Sequence, residues 1–543
     1  MKMNFKKIFS AVAAAAMLTA CVGDLNTIPL NPTDVTSETA YGADEAGYVQ
    51  GLAKIYFQLV SNNTQDLEVA DGGASEFIRA FWSTQEVTAD AAKCAWGDAW
   101  VNDLNNNTWK GDVLNDAVYA VYVRTLQGIT YVNEYLRQTS DANLSTRGCS
   151  DAVKAKVQEY RAEARFLRAY FYWAAMDTFG QVPFSTENTQ FGGGYNPPQA
   201  PATEIFNFIV SELTDLASED SAMPAAQSNY PRADKGSCLG LLARVYLNAE
   251  VYTGTPMWAE AKKACEDIYA LGYKLAPTHA ELFRGDNGEN DAVKKEFLFA
   301  ASYDAESNQS YGGTTYLTLS TLRAEDGSTN ITGINGGWAG NRVPYEYVAK
   351  WFTDVKGQNY ETGEYQYTDK RAGYFYIKGR TESMEGNLNT FLNGWSCIKF
   401  NNVPHNMDAV DYAATAATKN FSDIDWPLIR LGEIHLIYAE ACMHAGGSAS
   451  SQLEALAKRA GVSAPAEVTE DWLMAERARE LMWEAHRRTD LIRYGKWISG
   501  YNWTYKGGNF GGQDLPSHFN IFPVPSTELA TNLDLQQNPG YAR

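Results

Sequence analysis

The sequence predicts a mainly α protein: helix pairs stacked as a superhelical scaffold, interrupted by a loop-rich irregular insertion carrying short strands. Three observations lead there. Apolar residues recur in steps of 3 and 4 over residues 155–179 (Val157, Tyr160, Ala164, Leu167, Phe171, Ala174, Thr178) and again over 113–138. A second pair of such runs occupies 238–275, and a third runs from Leu428 to Ala445 and from Asp471 to Trp497. Between them, residues 286–420 are rich in Gly, Asn, Thr and Tyr and hold no helical period.

The first element is not part of the fold. Lys2, Lys6 and Lys7 precede a short apolar run, Ile8 to Leu18, which reads as an export signal over residues 1–20. That run is too short to cross a bilayer, which takes about 20 residues. Leu18-Thr19-Ala20-Cys21 resembles the bacterial lipobox, so Cys21 is expected to carry lipid and to be the only membrane attachment. Several acyl chains at about 0.8 kcal/mol per buried CH₂ make such an anchor effectively permanent. Residues 21–36, with Pro29 and Pro32, read as a lipidated tether.

Residues 37–285 form an N-terminal helical repeat region with loop insertions. The runs 113–138 and 155–179 suggest an antiparallel pair, the second stopped by Gly180 and Pro183. In the next pair Leu242, Ala243, Tyr246 and Leu247 are followed by a break at Gly254–Pro256 and then by Trp258, Ala261, Ala264 and Ile268. Small alanines at a crossing with an aromatic plug resemble a tetratricopeptide repeat, whose period is about 34 residues. Each such pair exposes an apolar face until a neighbour covers it, so divergent pairs imply stacking. Residues 61–112 and 185–200 read as loops, 286–420 as the irregular insertion, and 421–543 as a C-terminal helical region.

Charge and composition exclude several classes. The chain carries a net charge of −20, which repels a phosphate backbone, so nucleic acid is not expected as a partner. Hydrophobic residues at 45% and aromatic residues at 13% exclude disorder. The six cysteines after Cys21 show no C-x-x-C and predict no particular disulfide. G-x-S-x-G, Walker A and H-E-x-x-H motifs are absent, and the six histidines do not cluster. Asp286–Asp291 offers oxygen donors without EF-hand spacing and reads as a solvated turn, so neither metal nor cofactor is expected. Glu163, Arg165, Arg168, Arg430, Glu433, Glu440, Glu476, Arg477, Glu480 and Arg487 lie on the repeat helices. They read as ion pairs fixing helix register.

Two clusters have the chemistry of sugar recognition, in which rings lie on the C–H face of a pyranose while amides, carboxylates or Arg meet its hydroxyls. One holds Trp96, Asp98, Trp100, Asn102 and Trp109; the other holds Tyr311, Tyr316, Arg323, Asn335 and Trp338. Trp100 and Trp109 could instead pack beneath their own loops.

Five blocks in order carry a resemblance that runs from residue 21 to 541. They are the lipobox at Cys21; Glu163-Ala-Arg165-Phe-Leu167-Arg168-Ala-Tyr170 with Phe179-Gly180-Gln-Val182-Pro183; Ala243-Arg244-Val-Tyr246-Leu247 with Trp258; Asp425-Trp426-Pro427 through Arg430 and Glu433, with Glu476, Arg477, Glu480 and Arg487 to Lys496; and Phe522-Pro523-Val524-Pro525 with the ending Asn538-Pro539-Gly540-Tyr541. Together they resemble the SusD/RagB family of surface glycan-binding lipoproteins in Bacteroidetes nutrient-uptake systems. One departure is Ala485, where the family often has Gly after the Glu of this stretch; only local packing is expected to change.

The resemblance implies a non-catalytic protein on the cell outer membrane, facing outward. It would capture an oligosaccharide or polysaccharide and deliver it to a SusC-like TonB-dependent transporter. It also implies an aromatic arc built from an N-terminal loop and the middle insertion, with Trp96 where the family has its W-x-D-G loop. A surface glycoside hydrolase, which needs two carboxylates about 5–10 Å apart, and a protein-binding repeat scaffold are the alternatives.

Overall fold

The computed structural model describes residues 40–543 apart from 63–66, 68, 70, 71, 191, 193 and 416–418. The expected signal peptide, Cys21 and the tether lie outside the described residues.

Helix α1 (Ala46–Val60) buries Tyr48, Leu52, Ile55 and Leu59, one stripe at helical spacing. Helix α2 (Asp116–Gln138) starts where the Asn115 side chain accepts from the Val118 backbone N–H. Helix α3 (Asp151–Phe179) is capped in the same way by Ser150 and ends at Gly180, whose φ of +71° few other residues adopt. The two run antiparallel: Arg161 donates to the Leu136 carbonyl, Arg168 to Asn133, and Tyr122 packs on Phe179. Gly128 sits at their crossing, where a Cβ would come within 2.6 Å of the Phe171 ring.

The stack continues through α4 (Ala202–Ala217), which rests on α3, and through α5 (Lys235–Leu247), which rests on α4. An Asp234/Ser237 capping box starts α5. Helix α6 (Trp258–Ala270) packs on α5, and α7 (Leu431–Ala445) packs on α6 across the long excursion between them. Helices α8 (Ser450–Ala460) and α9 (Glu470–Glu480) close the far side of α7. The predicted scaffold of stacked helix pairs is therefore present, with α1, α4 and α8 added.

Two expectations are corrected. The helix predicted to run from Asp471 to Trp497 stops after Glu480 and resumes only at Arg487–Arg493. Between them Trp483 and Ala485 take φ of +64° and +63°, and the break lets the Trp483 indole donate to the Ala91 carbonyl at 2.9 Å. Residues 61–112, read as loops with short strands and a few helical turns, hold more helix than that: helices at Phe77–Trp82 and Ala99–Asn106 and a π-turn at Ser83–Val87 lie within them.

The middle stretch consists of short strands, turns and single helical turns. Strand Phe297–Ala301 pairs antiparallel with Trp426–Arg430, so the chain leaves and rejoins the scaffold at neighbouring positions. No described helix is long and apolar enough to cross a membrane. The six cysteines from Cys94 to Cys442 are all buried free thiols.

The helix charges pair as expected, and almost all of these pairs are buried. Arg430 meets Glu296, Glu480 and Glu484. Arg244 meets Glu433, Arg371 meets Glu476, Arg477 meets Asp490, and Arg487 meets Asp90. Glu163 pairs with Arg232, and Glu440 with Arg493; Arg165 and Arg168 share Glu212. A buried pair of this kind adds little net stability but is costly to break. It holds neighbouring helices in register.

Candidate functional site

The site begins with a short ladder. Strand Lys93–Cys94 pairs with Asn341–Arg342, and the Ala95 backbone N–H extends the pairing to the Gly340 carbonyl. This brings Trp96 onto the segment that carries Trp338. The Trp96 indole N–H donates to the Ala339 carbonyl at 2.9 Å. Its ring lies over Gly340, where a Cβ would meet the indole at 2.5 Å, so glycine is what lets the ring lie down.

Behind Trp96 the Arg79 guanidinium stands 5.6 Å from its ring and 4.3 Å from that of Tyr316, a cation–π contact that holds the indole from below. In front, the half-buried Trp338 ring lies 6.2 Å from Tyr311, and Tyr311 lies 5.1 Å from Phe421. Tyr311 is 55% exposed. Four rings from four separate segments thus form one surface. Asn335 and Asn420 edge it, joined by an amide hydrogen bond of 3.0 Å, while the Asn335 backbone N–H donates to the Lys419 carbonyl and ties the Phe421 segment in place.

Glu76 lies beneath the Tyr311 segment, fully buried. It accepts from the Ser310 hydroxyl at 2.6 Å and from the Tyr303 hydroxyl. Burial outweighs these hydroxyls and the nearby Arg79 and Arg124, and pushes the carboxyl up to about 8. The loop from Tyr303 to Gly312 is wrapped around this group. Exposed ring faces bordered by free-edged amides can stack on a pyranose and bond its hydroxyls.

Sequence comparison places the chain. A profile of the SusD family matches residues 295–541, and one described as starch-binding associating with outer membrane matches 62–247. The starch-binding protein SusD of Bacteroides thetaiotaomicron is 30% identical over 576 aligned positions, which cover 99% of each chain. The chain belongs to the SusD family.

A SusD-like protein of Bacteroides ovatus is 23% identical, covering 92% of this chain and 84% of its own. Among solved structures, surface glycan-binding protein A from Bacteroides thetaiotaomicron, in complex with laminarihexaose, superposes with a TM-score of 0.67 at 18% identity. It covers 91% of this chain and 99% of that one, a likeness of fold.

In this SusD-family chain the residues singled out from sequence divide. Trp96, Tyr311, Asn335 and Trp338 come together on the surface. Asp98, exposed, stands immediately before helix Ala99–Asn106, and the Asn102 amide donates to the Gly97 carbonyl at 3.2 Å, so both border Trp96. Trp100 is 7% exposed and packs into the core beneath its own helix. Trp109 is buried as well, donating to the Tyr541 hydroxyl. Tyr316 is buried behind Trp96 and supports that ring from within. Arg323 pairs with Glu325 at 2.9 Å and stands 5.9 Å from the Phe391 ring. Phe421, Asn420 and Arg79 went unnoticed. The adjacent amide and ring of Asn420-Phe421 were the signal for the first two; nothing local marks Arg79.

Proposed function

We propose that this protein binds a pyranose-based oligosaccharide or polysaccharide outside the cell, leaves it intact, and passes it to a SusC-like TonB-dependent transporter. The observation that carries this reading is the surface of Trp96, Trp338, Tyr311 and Phe421, four residues from separate segments whose rings converge at the surface. Asp98, Asn102 and Asn335 would meet sugar hydroxyls at its edge. The names of its relatives, a starch-binding protein and a glycan-binding protein carrying laminarihexaose, support α- and β-glucans as the first ligands to try.

Binding without turnover is supported by where the proton-holding carboxyls are. A hydrolase needs a protonated acid within reach of the glycosidic oxygen. Glu76 and Glu86, both pushed up to about 8 by burial, are wholly enclosed and engaged by Tyr303, Ser310 and the His486 backbone. Neither reaches the ring surface.

Lipid on Cys21 would hold the protein to the outer membrane, facing outward, and the tether would let it move over the transporter. A glycan array on the chain from residue 21 onward tests the binding. Retention of one glucan class, abolished in a Trp96→Ala/Trp338→Ala variant, is the expected result; release of shorter sugars by pure protein would overturn it. Cys21→Ala should release the protein from the membrane fraction, and mild detergent extraction should recover a large β-barrel beside the wild type.

A further inference from the structure

A second cavity, of about 500 Å³, opens between residues 107–112 and the C-terminal segments around Asp514, Phe519 and Tyr541. Its floor is aromatic and fixed. Trp109 lies 4.9 Å from Phe519, Tyr541 takes the Trp109 N–H and donates its own hydroxyl to the Ile521 carbonyl, and His518 stands edge-on to Tyr541 at 4.7 Å. The rings of His518, Phe519 and Tyr541 are each partly exposed, while Lys110, Asp112 and Asp514 are exposed at the rim. The buried Lys506 ammonium lies close enough to Asp514 to feel its charge.

The groove lies at the other end of an element already described. Helix Ala99–Asn106 has Asp98 immediately before it and Asn107 immediately after it. Eight residues at 1.5 Å each separate the two ends by about 12 Å. A ligand lying on Trp96 and long enough to follow that helix reaches the groove.

We propose that this groove is a second saccharide subsite, which takes a more distant part of the same chain held at Trp96 and Trp338. The proposal rests on the glycan-binding reading above. Half-exposed rings under a rim of hydrogen-bonding side chains suit a pyranose in the same way as the first surface. The two rim carboxylates are balanced by Lys110 and by the Lys506 ammonium near Asp514, on a chain of net charge −20, so the ligand is a neutral polysaccharide rather than a uronate or sulfated one. Two contacts on one ligand multiply affinity for long chains and leave short ones bound at a single site.

The test uses the chain from residue 21 onward, with maltotriose and laminaritriose as short probes, amylopectin and laminarin as long ones, and alginate as the anionic control. Lys110→Ala/Asp112→Ala/Asp514→Ala alters only exposed side chains. It should leave the dissociation constant for the better short probe unchanged and weaken retention by the matching polysaccharide by at least about fivefold. Polysaccharide retention within twofold of wild type, beside a Trp338→Ala variant that has lost binding, overturns the groove and spares the first site. Wild-type protein that binds none of the glucans overturns both. Alginate bound as tightly as the glucans, and lost in the triple variant, overturns the neutral-ligand assignment.

Discussion

The Trp96 indole N–H and the Ala339 carbonyl, 243 positions apart in sequence, meet at 2.9 Å. Two segments that share no local signal are thereby fixed as one surface, and the backbone acceptor adds to Arg79 and Tyr316 in orienting the ring. Replacing Trp96 by Phe keeps a ring but removes this donor. The expected result is a loss of about 1 kcal/mol of stability and weaker glucan binding, read by denaturant titration and calorimetry.

Trp338→Ala removes a half-exposed ring that meets Tyr311 on the surface and packs its inner side against the core. Affinity should fall at least about tenfold, equivalent to about 1.4 kcal/mol, while the melting temperature falls by only a few degrees and the variant stays folded. An unfolded variant, or undiminished binding, would show that the ring has a different role.

Glu76→Gln separates burial from charge. Its folded-state value of about 8 stands above the ordinary 4.5, so the native protein holds a proton that the unfolded chain releases. The stability this gives is complete below pH 4.5 and is lost as pH rises towards 8. Gln stays neutral throughout, so the variant should lose less stability than wild type between pH 5 and pH 8, by on the order of 3 kcal/mol. Parallel urea midpoints for the two proteins would contradict the assignment.

Ala485 adopts φ of +63°, a region that costs an L-residue about 1–2 kcal/mol. A Gly at this place would relieve that cost and give back part of it as chain entropy. Ala485→Gly should stabilise the protein by about 0.5–1 kcal/mol, visible as a higher denaturant midpoint with an unchanged slope.

Arg430→Met removes a buried cation that meets Glu296, Glu480 and Glu484 together, and leaves Arg459, Arg371 and Lys399 as their remaining partners. A loss of about 3–5 kcal/mol is expected, enough to lower the melting temperature or the soluble yield. Arg323→Ala breaks a pair whose Glu325 is largely exposed, and should leave the melting temperature where it is in wild type.

Helix α3 was legible because its apolar stripe and its Gly180–Pro183 stop agree with one another; the Ser150 cap, ahead of the periodic run, is a further signal that extends it to Asp151. Helices α1 and α4 carry equally regular stripes, Tyr48–Leu52–Ile55–Leu59 and Ile205–Ile209–Leu213–Leu216, and could have been read in the same way. The break after Glu480 could not: Trp483 and Ala485 sit in a conformation neither residue favours, imposed by the distant Ala91 and by Trp82, which donates to the Trp483 carbonyl. The same limit separates Tyr311 from Tyr316. Both lie in one ring-rich stretch, but which ring meets water depends on Arg79 and Trp96 closing over Tyr316 from elsewhere in the chain.

The buried thiols have a use as built-in reporters. Burial raises Cys94 to about 11 and Cys397 to about 12, and lifts Cys238 and Cys265 well above their ordinary range. At neutral pH they carry almost no thiolate and stay unreactive while the surrounding structure is closed. Cys94 sits beside the aromatic surface, Cys238 and Cys265 in the helix stack, and Cys397 in the middle stretch. The sequence in which a maleimide captures them would therefore time the unfastening of each region, and a glucan that slowed capture at Cys94 alone would mark where it had bound.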